Sequence, residues 1–505
     1  MDGKLEPAHS HMLTVRSLGI DTYNENIIFM RADCHVCKSE GFRALTRIVV
    51  SHEDRSIVAT LDVVHSDLIK EGEAGLSLVA LERLGISDGD PVILSHLQPL
   101  GSLSDVRSKM YRNRLDESAF KRIISDVTRG LYSNIELAAF ISACSGDNLD
   151  TDEIISLTKA MIGIGQRIRW NKEIIADKHC VGGLPGNRTT PIVVAIAAAA
   201  GLVIPKTSSR GITSPSGTAD TMETMTPVNL SIDDIMHVVE KEGACLVWGG
   251  RANLSPADDI LIGIERALDI DSAGQMIASV LSKKAVAGST HVIIEIPYGE
   301  TAKVRTMKEA LKLQYYFKAV ANAIGLTLEV LITDGSQPVG RGIGPALEAM
   351  DVLAVLRNES NAPLDLKERA ITLAAALLEL VNHSERKKGR EAARSILESG
   401  AAWEKFHRIC IAQGGFTEPK PGKHKLEITS EKSGIVKAID NRKLARIAKL
   451  AGAPLILTAG LHFDAPIGKR IEKGQTLFTI YSEAEGELRY SYDYLKAGNH
   501  IITIE

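Results

Sequence analysis

The chain has 505 residues, 44% of them hydrophobic and 24% charged, with a net charge of −4. That balance describes a soluble globular chain long enough for about three to four domains, with no overall basic face for nucleic acid. The longest apolar run, Pro191 to Pro205, is too short to span a bilayer and has proline at both ends, so no membrane partner is expected.

Residues 1–11, which include His9-Ser-His11, read as a tag or an unstructured leader and are set aside. No secretory signal pattern is visible, and the expected location is cytoplasmic. The cysteines Cys34, Cys37, Cys144, Cys180, Cys245 and Cys410 are scattered, which suits a reducing compartment. Cys34-His-Val-Cys37 lacks a second pair at finger spacing, so no metal site is expected, and the two thiols read as small residues in a barrel turn.

Residues 12–98 read as a β-rich domain. Arg43 to Val50 and Ser56 to Val64 have the β-branched content and partial alternation of strands. Leu84-Gly-Ile-Ser-Asp-Gly-Asp-Pro-Val-Ile-Leu94 resembles the closing segment of a double-psi barrel. Residues 103–168 switch to helical periodicity. One helix opens at Leu115-Asp116-Glu117-Ser118, Ser133 caps a second, and Leu149-Asp-Thr-Asp-Glu-Ile starts a third with acids in its first turn. Residues 255–287 are helical again.

Across 172–250 and 289–420, strands alternate with helices. Ala200 to Pro205, Cys245 to Trp248, His291 to Ile296 and Leu326 to Ile332 are short apolar runs suited to a largely parallel sheet buried on both faces. Ligands then bind beyond the carboxyl ends of the strands. Two loops rich in Gly, Ser and Thr fall there, Asp177 to Thr190 and Lys206 to Glu223. Small hydroxylated residues and exposed backbone N–H groups form an anion-binding concavity. The two loops together read as one phosphate site.

Several motifs stand in order along the chain. Lys178-His179-Cys180-Val181-Gly182-Gly183 comes first. Ser208-Ser209-Arg210-Gly211 follows, with Gly217-Thr218-Ala219-Asp220-Thr221-Met222-Glu223 after it. Asp271 to Ser279, Lys283-Lys284 and Thr333 to Gly340 complete the series. Over about 103–490 these motifs resemble the thymidine/pyrimidine-nucleoside phosphorylase family. The resemblance implies an α/β fold in which a discontinuous all-helical domain (103–168 and 255–287) accompanies a mostly parallel α/β domain. An N-terminal double-psi-like β-barrel and a C-terminal barrel-sandwich α+β module (422–505) flank them. The C-terminal module lacks the lysine hairpin of covalent carriers.

The resemblance places Lys178, Ser208 and Thr218 at phosphate-binding positions, with Thr189 or Thr190 assisting. Gly182 and Gly183 would let the backbone approach the anion. His179 matches a histidine near the base, or it merely orients the loop. Asp271 matches a proposed proton donor, and together with His179 it forms the expected catalytic pair. Asp271 and Ser279 lie eight residues apart on one side of a helix, and Lys283 extends that stripe. On the residues alone, Asp271 or Ser272 serves equally well as a helix cap. Nucleoside or nucleotide contacts are expected from Gly183, Ser209, Arg210, Gly211, Ile212, Thr213, Ser214, Thr218, Ser279, Lys283 and Lys303. Cys180 reads as a filler where serine would serve.

Two departures matter. Ile264 stands where classical members have a base-reading arginine, and the first loop reads Gly-Leu-Pro-Gly-Asn-Arg. With the extra N-terminal domain, they align the chain with the second branch of the family, which includes archaeal AMP phosphorylases and bacterial thymidine phosphorylases. The expected reaction is thymidine plus phosphate to thymine plus 2-deoxyribose 1-phosphate. AMP phosphorolysis to base and ribose 1,5-bisphosphate is the alternative, with Arg188, Arg210 and Lys303 as a second anion pocket. An anthranilate-type phosphoribosyltransferase ranks below both. Partners are a small nucleoside or nucleotide and phosphate as co-substrate, with no cofactor or metal, in a homodimer or larger homo-oligomer.

Overall fold

Alternating burial shapes the first strands of the computed structural model, which describes residues 12–22, 25–165, 167–211, 214–250, 255–270, 272–381, 388–498 and 500–505. The chain divides into two units, Met1–Ala143 and Cys144–Glu505. The first holds β1 (Met12–Ser17), β2 (Ile27–Arg31), α1 (His35–Glu40), β3 (Arg47–His52), β4 (Arg55–Val64), β5 (Glu73–Leu76), α2 (Leu78–Leu84) and β6 (Pro91–His96). Its strands close into a six-stranded barrel in the order β1-β5-β2-β4-β3-β6. The β1–β5 and β2–β4 pairs are parallel and the rest antiparallel. Every second residue points inward, as in Leu13 and Val15, Ile48 and Val50, and Val92 and Leu94.

Cys34 and Cys37 are buried, and the turn expected for them is instead the start of a helix. Cys34 is the N-cap of α1 and Cys37 lies in its first turn. Three helices complete the first unit, α3 (Ser102–Met110), α4 (Glu117–Thr128) and α5 (Asn134–Ala143). Asp116 caps α4 by accepting from the Ala119 amide at 2.8 Å. At the start of α5 the Ser133 amide and hydroxyl donate to Glu136.

The second unit begins with α6 (Thr151–Ile164), which carries a capping box between Asp150 and Glu153. Strands and helices then alternate through β7 (Ala176–Cys180), α7 (Thr189–Ala199), β8 (Ile204–Ser208), α8 (Thr218–Glu223), α9 (Ile232–Glu242) and β9 (Ala244–Trp248). Next come α10 (Pro256–Leu268), α11 (Ala273–Val286), β10 (His291–Tyr298), α12 (Met307–Ala323) and β11 (Thr327–Asp334). The strands form two parallel groups, β11-β10-β7 and β8-β9, joined by a parallel bridge between Ile175 and Val203. From β7 the chain runs on to β8 and β9 on one side, and from β10 to β11 on the other. Adjacent strands whose connections diverge leave a crevice at their carboxyl ends, here between β7 and β10.

Two strands differ from the sequence expectation. Asp177 to Cys180, read as part of a loop, is β7. The strand read at Ala200 to Pro205 starts only at Ile204, because α7 runs to Ala199 with Ala200 as its C-cap, and Gly201 turns the chain at φ +89°. Both strands carry charged residues that an apolar-run criterion passes over, Asp177 and Lys178 on β7 and Lys206 on β8.

Beyond the sheet lie β12 (Gly342–Ile343), α13 (Pro345–Leu356), α14 (Leu364–Val381), α15 (Gly389–Glu398) and α16 (Ala401–Ala412). Their apolar faces enclose α7, buried from Thr189 to Ala198, against Ala176, Ile204, Leu246 and Ile293 of the sheet. The C-terminal part contains β13 (His424–Thr429), β14 (Gly434–Ile439), α17 (Asn441–Leu450), β15 (Gly460–Phe463), β16 (Arg470–Ile471), β17 (Thr476–Ser482), α18 (Glu485–Lys496) and β18 (Ile502–Ile504). It forms two small sheets, β12-β15-β17-β13 and β16-β14-β18. No described helix is long and apolar enough to cross a membrane.

Candidate active site

β7 runs through the middle of the sheet with the sequence Ala-Asp-Lys-His-Cys. Asp177 and Lys178 are fully buried, and a buried charge is tolerated only when paired. Lys178 Nζ donates to Thr189 Oγ1 at 2.8 Å and Thr190 Oγ1 at 3.2 Å, and lies 3.1 Å from Glu295 Oε2 on β10. Glu295 also accepts from Asn187 Nδ2 at 3.2 Å and lies 3.7 Å from Arg369. Burial opposes its ionisation, but Lys178 and Arg369 outweigh burial and hold the carboxyl below its usual range.

Asp177 has a matching environment. Lys284 of α11 lies 2.7 Å from it, Lys206 of β8 lies 3.5 Å away, and the Ser289 hydroxyl donates at 3.2 Å. Burial again opposes ionisation, and the two lysines outweigh it, so the carboxyl sits low. Lys206 is pushed down to about 7, chiefly by burial and also by Lys284, with Asp177 opposing. The four basic side chains Lys178, Lys206, Lys284 and Arg369, of which Lys206 is only partly protonated near pH 7, thus face the two carboxylates Asp177 and Glu295. A largely buried excess of positive charge is unfavourable alone and favourable beside an anion.

His179 follows Lys178 and is half-buried. Burial, then Lys284, Lys206, Lys178 and Lys283, drive its protonation well below the usual range, so the imidazole is neutral near pH 7. Cys180 is pushed up to about 11 by burial and Glu295, which leaves it a thiol rather than a nucleophile.

The loop after β8 folds around Asp220 of α8. Asp220 Oδ2 accepts from the Gly211 and Gly217 amides at 2.6 and 2.9 Å, and Oδ1 accepts from Arg210 at 3.2 Å. A Cβ on Gly217 would lie 2.6 Å from the Arg210 carbonyl carbon, so the loop closes only with glycine there. Arg210 also grips Glu223, at 2.8 Å through Nη2, and its guanidinium lies 5.1 Å from the Trp248 ring centre. Arg188, on the loop after β7, donates to Glu348 at 2.7 Å, Thr218 Oγ1 at 2.9 Å and the Ser216 carbonyl at 3.0 Å. Both arginine side chains are therefore bound to the scaffold. Thr218, like Thr189 and Thr190, accepts from a cation through its hydroxyl oxygen. Such a hydroxyl keeps its proton available to donate to an anion.

The loops after β7 and β10 touch at the crevice. Gly183 has φ +80°, and a Cβ there would sit 2.2 Å from Lys303 Cβ. Gly182 has φ +82° and open space around it. Ser208 donates to the Val247 carbonyl, Ser209 is exposed, and Ser214 donates to the Ser216 carbonyl. On α11, Ser279 is half-buried and Lys283 pairs with Asp258 of α10 while standing close enough to His179 to oppose its protonation. Ser272 is the N-cap of α11, but its hydroxyl donates to the Cys144 carbonyl at 3.2 Å rather than capping the helix. Asp271, Ile212 and Thr213 lie outside the described residues.

Sequence reasoning missed Asp177, Lys206, Glu295, Glu348 and Arg369. Glu295 carried a usable signal, a single carboxylate inside the apolar run His291-Val-Ile-Ile-Glu-Ile296.

The Glycosyl transferase family a/b domain matches residues 172–403, and the Pyrimidine nucleoside phosphorylase C-terminal domain matches 435–502. A protein of Hahella chejuensis is 52% identical over 493 residues, covering 98% of both chains. One from Legionella pneumophila (strain Paris) is 53% identical over 495 residues, covering 98% of this chain and 96% of the relative. Both carry the name "Putative thymidine phosphorylase". The chain belongs to the pyrimidine-nucleoside phosphorylase family. It is a pentosyltransferase of the glycosyltransferase type. An anthranilate phosphoribosyltransferase from Thermus thermophilus shares the fold, with a TM-score of 0.52 and 17% identity over 61% of this chain and 98% of that one.

Proposed function

We propose that the chain cleaves thymidine with inorganic phosphate, giving thymine and 2-deoxyribose 1-phosphate. The observation that carries this reading is the excess of positive charge around Lys178, bordered by hydroxyls ready to donate. Phosphate held there attacks C1′, and a C–O bond forms as the C–N bond breaks. The base leaves with the bonding electron pair and takes up a proton. Neutral His179 donates a hydrogen bond to the departing base without adding a positive charge beside the electron-poor sugar. Asp271 is the proposed proton donor on the family resemblance. Phosphate is the nucleophile, so the chemistry rests on alignment and charge stabilisation.

Thymidine ranks ahead of AMP because Arg188 and Arg210 hold Glu348, Asp220 and Glu223. Of the three cations expected for a 5′-phosphate pocket, Arg188, Arg210 and Lys303, the two arginines are thus already paired. Asp220 and Glu223 in turn grip Arg210, so they are not available as the magnesium carboxylates of a phosphoribosyltransferase.

The test is phosphate-dependent base release from thymidine, uridine, AMP, CMP and UMP in parallel. Release from thymidine well ahead of the monophosphates is expected. Faster release from AMP would replace this reading with the nucleotide one.

A further inference from the structure

Glu295 occupies an unusual place among the described residues. It projects from the middle of an apolar strand, is fully buried, and touches four other structural segments. Its Oε1 receives Asn187 Nδ2 at 3.2 Å from the loop after β7 and the Thr333 hydroxyl at 3.3 Å from β11. Arg369 of α14 lies 3.7 Å from the same oxygen. Its Oε2 is buried and faces Lys178 Nζ at 3.1 Å. With one oxygen held by two donors and the Arg369 charge beside it, the direction of the other is determined too.

Lys178 has three ammonium hydrogens and three contacts, with Thr189, Thr190 and Glu295. The two threonines begin α7 and accept from the lysine. Glu295 is its anionic contact, and it also separates Lys178 from the second cation, Arg369. Asn187, which ties Glu295 to the glycine-rich loop, has φ +54°, a left-handed conformation that asparagine adopts more readily than other non-glycine residues.

We propose that Glu295 is a positioning residue for phosphate. It aims the Lys178 ammonium at the Thr189 and Thr190 hydroxyls, so that these turn their protons toward the anion. Glu295 itself makes no contact with phosphate. Without its charge, Lys178 and Arg369 face each other uncompensated, the lysine loses its alignment, and the hydroxyls lose their orientation. This inference rests on the phosphorylase reading proposed above.

The test uses the full-length Glu295→Gln and Glu295→Asp variants, with Thr333→Val as a milder change that removes one donor from Oε1. Each is assayed for phosphate KM, nucleoside KM and kcat, with thermal unfolding as a control. In Glu295→Gln, phosphate KM should rise by about tenfold or more, with nucleoside KM and kcat at saturating phosphate within about threefold of the parent. Glu295→Asp keeps the charge and should fall between the parent and Glu295→Gln. Thr333→Val should raise phosphate KM by about twofold to fivefold. An unchanged or lower phosphate KM in folded Glu295→Gln overturns the proposal. Should that variant fail to fold, an unchanged phosphate KM in both other variants overturns it equally. Base release by the parent without phosphate would overturn the phosphorylase reading instead.

Discussion

Lys284 on α11 and Asp177 on β7 are joined by a buried ion pair of 2.7 Å, which fastens the helix bearing Ser279 and Lys283 to the strand bearing Lys178 and His179. Breaking a buried pair from one side leaves an unpaired charge. Asp177→Asn leaves Lys206 and Lys284 without their carboxylate and should destabilise the protein by about 3–5 kcal/mol, measured by urea unfolding at neutral pH. Asp177 ionises more readily folded than unfolded, so its contribution is present above about pH 4 and is lost as pH falls through its folded value. Asp177→Asn should therefore flatten that part of the acid-unfolding curve. Equal stability of parent and variant would remove the pair from the account.

The two adjacent glycines of the first loop should respond differently to alanine. Gly183→Ala drives a methyl group into Lys303 and should lower kcat/KM by about 10- to 100-fold through displacement of the facing loop. Gly182→Ala meets open space and carries only backbone strain of about 1 kcal/mol, a loss of less than about tenfold. Equal losses in steady-state assays would contradict the contact between the loops.

Arg210 should behave as scaffold. Arg210→Ala should lower stability by about 1.5–3 kcal/mol, because the Glu223 and Asp220 carboxylates lose a charged donor. The ratio of thymidine to thymidine 5′-monophosphate affinity should stay within about threefold. A selective loss of monophosphate binding, read by competition, would place Arg210 against a 5′-phosphate.

His179 should remain neutral well into mild acid. In imidazole nitrogen NMR, the signal assigned by its loss in His179→Gln should show no protonation between about pH 8 and 6. A midpoint near the ordinary histidine value of about 6.5 would contradict the crowding of positive charge around the ring.

Much of this architecture was legible where local chemistry decides it. The Asp150–Glu153 capping box and the Asp116 cap announce their helices. Alternation discloses β3 and β4, and apolar runs disclose β9, β10 and β11. β7 was unreadable because Asp177, Lys178 and His179 resemble loop residues until their partners are known. Those partners stand far along the chain, at Lys284 and Glu295. The motifs single out Lys178 and, through the resemblance, Thr189, which the structure brings to 2.8 Å of each other, whereas the expectation of Arg188 and Arg210 as a second anion pocket carried no sign of their carboxylate partners. The carboxylates that hold them are contributed by helices, and nothing in the sequence pattern indicates which cation faces inward. Local rules fail at the site because long-range charge pairing overrides them there.

The central claim is that phosphate is the nucleophile. Phosphorus NMR of thymidine incubated with the protein and inorganic phosphate tests it most directly. The account predicts a new sugar 1-phosphate resonance growing in step with free thymine, with no thymine released when phosphate is omitted. Thymine release at the same rate without phosphate, and no new phosphorus resonance, would contradict it.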